Sequence, residues 1–169
     1  MNAINTDVFL QKIAGDVGIM ATGNVPPVHI IPWMPGMGLM TTLAQATRTA
    51  ESELLGAGQV FRLDELMGPG SLASESERLA QSVEKLEDVS ICVIDCSDSV
   101  VDVEHQLKFL NEFLPKTEGS ASTWLVTPNS EEFEKGLRMD NDMFAFRYKS
   151  RMNMEGELET KDRGPKPKV

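Results

Sequence analysis

Gly36, Gly38, Thr41 and Thr42 stand close together in the stretch Val28-His-Ile-Ile-Pro-Trp-Met-Pro-Gly-Met-Gly-Leu-Met-Thr-Thr-Leu43. Their types and spacing suit an anion site. The apolar run Val28 to Ile31 predicts a buried strand, a Pro- and Gly-punctuated turn follows, and helical periodicity begins at Thr41. In such a strand–turn–helix the backbone N–H groups of the turn and the positive end of the helix dipole point at a phosphate. Two further strand candidates close on acids, one on Asp64-Glu65 and one on Asp95. A carboxylate so placed can hold a cation or activate a water.

These groups need a scaffold, and the periodicity supplies one. Val8, Phe9, Ile13 and Val17 recur at helical spacing, so residues 1–27 read as a short helix and a linker that breaks at Gly23-Asn24 and Pro26-Pro27. After the first strand, a helix is expected from about Thr41 to Leu55, with Leu43, Ala46, Thr47, Ala50 and Leu54 inside. Gln59–Leu63 is the second strand. Ser74–Leu86 is a second helix, with a capping-box spacing at Ser74 and Glu77.

Val89–Asp95 is almost continuously apolar and β-branched, as a central parallel strand buried on both faces must be. Val103–Leu114 is amphipathic, Thr123–Thr127 is a fourth strand stopped by Pro128, and Asn129 with Glu132 suggests a capping box for a short helix ending near Leu137. Met143–Tyr148 alternates like a strand and is expected to pair with Gly156–Thr160 as a hairpin. Residues 161–169 read as a basic, Pro-containing tail. Strands alternating with helices predict an α/β domain over 28–160, with a mostly parallel sheet covered on both faces.

The composition sets limits on partners and setting. The chain has 169 residues, 41% hydrophobic and 25% charged, enough for one domain with a real core. The net charge of −10 disfavours a nonspecific grip on nucleic acid. From Arg147 onward seven Lys/Arg face four Asp/Glu, a local +3 that leaves −13 for the rest. Such a tail suits an acidic neighbour or a phosphate. Cys92 and Cys96 share one apolar run and form no disulfide framework or metal-ligand spacing. No apolar stretch approaches the roughly 18 residues that span a bilayer, and no charged-then-apolar leader opens the chain, so the expected location is the cytoplasm.

Taken in order, these pieces resemble the RecA-like P-loop ATPase superfamily, nearest the branch of KaiC and the archaellum ATPase. The resemblance covers about residues 28–164. It rests on Met34–Leu43 at the phosphate loop, Asp64-Glu65 after strand two, Ile91–Ser97 at the Walker B strand and Thr123–Pro128 at the strand that senses the γ-phosphate. It extends through Asn141–Arg147 to Glu159-Thr-Lys-Asp-Arg-Gly164, similar to the family's K-x-R-G. The resemblance implies a three-layer RecA-like α/β domain with a mostly parallel sheet and a C-terminal β-hairpin. It implies nucleotide contacts from Gly36, Gly38, Thr41 and Thr42, magnesium at Asp95, a catalytic Glu65, and Lys161 and Arg163 at a subunit interface.

The departures from that pattern matter more. Aligning Gly38 with the last glycine of G-x-x-x-x-G-K-[ST] puts Trp33 at the first glycine, Leu39 at the lysine and Met40 at the Ser/Thr. Without the ammonium the phosphates lose their main charge partner, and without the hydroxyl the magnesium loses a ligand. Leu39 and Met40 beside a triphosphate would desolvate it at a cost of several kcal/mol. Trp33, Met34, Met37 and Met40 make the loop apolar and adaptable.

The leading expectation is therefore a degenerate, non-hydrolysing regulatory or structural subunit of an oligomer, with weak or absent nucleotide binding. ATP with magnesium and no cofactor at all are equal expectations. The favoured partner is a second copy or a homologous subunit, nucleic acid the less favoured one. Two rivals stand beside it: an active ATPase with an unconventional loop completed at a subunit interface, and an unrelated doubly wound α/β binding module, flavodoxin-like or of another order. His29 reads as a core residue and His105 as a surface one. Ser97, Asp98 and Ser99 have no histidine at triad spacing and read as a polar loop.

Overall fold

Four of the five residues of Ile91-Cys-Val-Ile-Asp95 are fully shielded from solvent, and only the terminal aspartate is half-buried. A strand buried on both faces must sit in the middle of a sheet with cover above and below, and the computed structural model places it there. The structure describes residues 9, 11, 13–15, 28–33, 39–52, 58–67, 84, 89–114, 122–137, 149–152 and 158–161. Gly36, Gly38, Arg163, the strand expected over Met143–Tyr148 and all but Glu84 of the helix expected over Ser74–Leu86 lie outside them. Glu84 is helical.

The strands are β1 (Val28–Pro32), β2 (Gly58–Arg62), β3 (Ile91–Asp95), β4 (Ser122–Thr127), β5 (Lys149–Met152) and β6 (Leu158–Lys161). The helices are α1 (Leu39–Ser52), α2 (Leu63–Met67), α3 (Val103–Phe113) and α4 (Ser130–Gly136). One six-stranded sheet runs in the order β2-β3-β4-β1-β5-β6. All neighbours pair parallel except β5 and β6, which form an antiparallel pair. This is the three-layer α/β arrangement with a mostly parallel sheet and a C-terminal hairpin. In a flavodoxin-like order, 2-1-3-4-5, β1 lies beside β3. Here β4 lies between them, which excludes the flavodoxin order.

Alternation along the strands divides the core. Val28, Ile30, Cys92, Ile94 and Leu125 face one side, where Leu63 and Leu66 of α2, Leu110 and Phe113 of α3, and Phe133 of α4 cover them. Ile31, Ile91, Val93, Trp124 and Val126 face the other, under Leu43, Ala46 and Ala50 of α1. Phe9 and Ile13 complete that second cluster, so the N-terminal helical residues cover the sheet. Phe9 meets Trp124 edge-on, ring centroids 5.7 Å apart. His29 is wholly buried with its ring 4.2 Å from that of Trp124, a core residue as the sequence predicts.

Some local expectations need correction. Asp64 and Glu65 do not end strand β2; the chain turns into the short helix α2 at Leu63, and both acids sit in its first turn. There they complement the positive end of the helix dipole. α1 begins at Leu39, two residues before the expected start. Asn129 precedes α4 but makes no side-chain capping bond; its own N–H donates to Thr127 Oγ1 at 3.0 Å instead. The cap that does form is Asp102 on α3, whose carboxylate accepts from His105 N at 2.9 Å.

Gly58 shows how closely α1 lies against β2. A Cβ there would stand 2.0 Å from Thr47 Cγ2, and Thr47 is stiff, β-branched and tied by its hydroxyl to Leu43 O at 2.9 Å. Gly58→Ala is expected to cost about 1–3 kcal/mol by overpacking. Thr47→Ala in the same chain should recover most of it, because the next contact, to Thr47 Cβ, is an ordinary 3.5 Å. Chemical denaturation of the two single variants and the double variant reads the non-additivity.

Candidate functional site

In an open parallel sheet, ligands lie outside the carboxyl ends of the strands. Here that edge is formed by Trp33 after β1, Asp64 and Glu65 after β2, Asp95 at the end of β3 and Thr127 at the end of β4. The parallel ladders continue just past the strands. Trp33 N donates to Thr127 O at 2.8 Å and Cys96 N to Val126 O at 2.8 Å. The ends of β1, β4 and β3 are thus held level, with Asp95 two strand spacings, about 10 Å, from the end of β1.

The start of α1 decides what this edge can hold. Leu39 opens the helix immediately after Gly38, so the helix begins at the position where the phosphate motif has its lysine. Thr41 is exposed and Thr42 half-buried in the first turn. Met40 is half-buried and packs, with Trp33, against the cluster built by α1, β1, β3 and β4. A flexible thioether side chain thus lies against the core at the position where the phosphate motif has its magnesium-binding hydroxyl. At these two positions Leu39 supplies no ammonium and Met40 no hydroxyl for a triphosphate and its magnesium.

The acids are engaged in holding a loop. Asp95 Oδ1 accepts from Ser97 N at 2.9 Å, closing the turn that leaves β3. Asp64 reaches across to the same loop, accepting from Ser99 Oγ and, through Oδ2, from Val100 N at 2.9 Å. Ser99 Oγ also accepts from Val101 N at 3.1 Å. Arg62, at the end of β2, forms an ion pair with Asp98, and Gln106 of α3 donates through Nε2 to Val101 O at 2.6 Å. Ser97–Val101 is thus fastened from β2, α2 and α3 together. Nothing in the sequence marks these partners, since Arg62 and Asp98 are 36 residues apart; the polar character of Ser97-Asp98-Ser99 was the only trace.

Glu65 is exposed on α2 at the same edge. Lys161 ends β6, opposite Lys149 in register. His105 is exposed and binds Asp102 through Nδ1 at 2.7 Å. The backbone N–H of His105, and then its ring, hold the Asp102 carboxyl below its ordinary range. Among the described residues, no three His, Cys, Asp or Glu side chains gather as a metal site. Among them, too, no helix is long and apolar enough to cross a membrane.

Cys92 and Cys96 are both buried in the cluster beneath α3. Burial, and then the charges of Asp95 and Asp64, push the Cys96 thiol far above its ordinary range. A neutral, shielded thiol is a poor nucleophile. Native protein at pH 8 is expected to leave both thiols unmodified by an aromatic disulfide reagent over the time in which unfolded chain reacts completely; rapid native labelling would contradict the burial.

No protein-family profile matches the chain, and no curated protein matches it in sequence. Among solved structures it is similar to the Orc1 protein of Aeropyrum pernix, solved in complex with DNA. The TM-score is 0.50 and the identity 14%, over 83% of this chain and 42% of that one. The chain shares a three-layer α/β fold with that protein over the matched region. At that identity the likeness concerns the fold alone, and this chain spans less than half the length of the Orc1 chain.

Proposed function

We propose that this chain is a P-loop-type domain whose phosphate loop has become a packing and docking element. In this reading it is a non-hydrolysing regulatory or structural subunit of an oligomeric assembly, and it binds nucleotide weakly or not at all. The observation that carries the reading is the start of α1: Leu39 and Met40 align with the lysine and Ser/Thr positions, and half-buried Met40 packs against the core. The engagement of Asp64 and Asp95 by the loop after β3 supports it. The finer assignment to the RecA/KaiC-like branch is supported by the antiparallel hairpin beside β1 and by the acids that follow β2. The net charge of −10 argues against a general hold on DNA.

Calorimetry with ATP and magnesium, on wild type and on Leu39→Lys/Met40→Thr, tests this. Wild type is expected to give no binding heat, and the double variant to gain binding, because it regains the ammonium and the hydroxyl. Tight wild-type binding would overturn the proposal. The rival reading, an active ATPase, keeps one support in the exposure of Glu65 at the same edge. It requires wild-type turnover that Glu65→Gln abolishes.

A further inference from the structure

β2 begins the sheet order, so one of its two backbone edges has no neighbouring strand among the described residues. An edge of that kind offers a row of N–H and C=O groups to any strand that meets it, and it is commonly guarded by lysine, proline, a bulge or an inward charge. The opposite edge follows that rule: β6 carries a charge at every second residue, Glu159 and Lys161. β2, Gly58-Gln-Val-Phe-Arg62, does not. It contains no lysine and no proline. Its register against β3 runs unbroken from Gly58 with Ile91 to Arg62 with Asp95, so no bulge bends it away. Its single charge, Arg62, stands at the last position and is paired with Asp98 of the same chain. Alternation puts Val60 on the face of Gly58, which α1 covers through Thr47. That cover stops short of Val60, which is 37% exposed, and Gln59 and Arg62 are exposed as well.

The residue pattern of β2 selects its occupant, because the strand is its own complement. Set antiparallel to itself about a two-fold axis at Val60, it brings Val60 opposite Val60 of the second copy, Gln59 opposite half-buried Phe61, and Arg62 opposite Gly58. Two β-branched side chains then pack side by side, and the stem of Gln59 covers the ring of Phe61. The one cation stands opposite a residue without a side chain, so its ion pair with Asp98 is left in place. An axis at Arg62 would instead oppose two cations, which is destabilising. Hydrogen bonding sets no obstacle. Residues 58 and 62, 59 and 61, and 60 with itself belong to the same alternation class, so the outward N–H and C=O groups find partners whichever class they are. The axis is perpendicular to the sheet, so α1 lies on the same side in both copies.

We propose that the outer edge of β2 is the docking surface for β2 of a second copy of this chain, the two sheets joining antiparallel at Val60 into one continuous sheet. The proposal rests on the oligomeric reading above and names the surface that reading lacks. Because both copies use the same patch, the contact is isologous and closes at a dimer.

Sedimentation velocity on the full chain tests it, with Val60→Lys and Val60→Glu measured separately and as a mixture. Wild type is expected to form a dimer that does not grow further as concentration rises. Because position 60 meets itself, each variant alone places like charges directly opposite, and its apparent Kd is expected to weaken about tenfold or more. Mixed at low salt, the two variants are expected to recover a dimer, since a lysine then faces a glutamate, and high salt should weaken it again. A wild type that stays monomeric across the accessible concentration range would overturn the proposal. So would two monomeric variants, both folded by circular dichroism, whose mixture stays monomeric. Wild-type-like association retained by either variant would overturn this surface and leave the oligomeric reading standing. The outcome is independent of nucleotide: tight ATP binding would sink the proposed function and leave the sedimentation result to judge the β2 edge.

Discussion

Trp124→Ala is expected to remove about 3–5 kcal/mol of stability, enough to endanger the fold of a domain this size. Trp124 is wholly buried at the centre of β4. It lies edge-on to Phe9 at 5.7 Å, touches the ring of His29 at 4.2 Å, and donates through Nε1 to Ser122 Oγ at 3.2 Å. Truncation leaves a cavity between α1 and the sheet and removes the surface on which the N-terminal helical residues sit. Urea unfolding reads the loss. A double-mutant cycle with Phe9→Ala should return a coupling of about 0.5–1.5 kcal/mol, as aromatic pairs do. A loss below about 1 kcal/mol would mean that Phe9 and Ile13 do not belong to this core.

Asp64→Ala is expected to cost about 1–3 kcal/mol, because its carboxylate serves two donors of the loop after β3 and no other described side chain replaces it there. Asp64→Asn should cost less, since an amide oxygen still accepts one of those bonds. The more telling readout is local: hydrogen exchange at Val100 and Val101 should accelerate several-fold or more in Asp64→Ala, while the amides of β3 stay protected. The measurement separates two roles for the acid. If Asp64 served a metal or a nucleotide instead of the loop, exchange at Val100 would not respond to its removal.

The two results would bracket what can be read from this chain in one dimension. Ile91–Asp95 announces a central strand because a segment buried on both faces cannot afford a polar side chain, and that requirement is local. The amphipathic periods of α1 and α3 are local in the same sense, and so is the replacement of lysine and Ser/Thr by Leu39 and Met40. The α/β class, the helix-covered sheet and the C-terminal hairpin were therefore legible in residue order. Where two local preferences compete, legibility ends. Asp64 and Glu65 suit a strand terminus and a first helical turn equally well, and the burial of Leu63 and Leu66 against α3 and α4 tipped the chain into α2.

Only the tertiary structure decided the strand order, because parallel pairing is made between segments tens of residues apart and leaves no periodic mark. The insertion of β4 between β1 and β3 is such a fact. So are the pairing of Arg62 with Asp98 and the hold of Asp64 on Val100. The sequence by itself determined that Leu39 and Met40 carry neither an ammonium nor a hydroxyl; the fold determined that Asp64 and Asp95 hold a loop in place and that a valine stands exposed at its tip. The physical reason is that chemistry follows from residue type, which is written in the chain, whereas a side chain's partner follows from distance, which only packing creates.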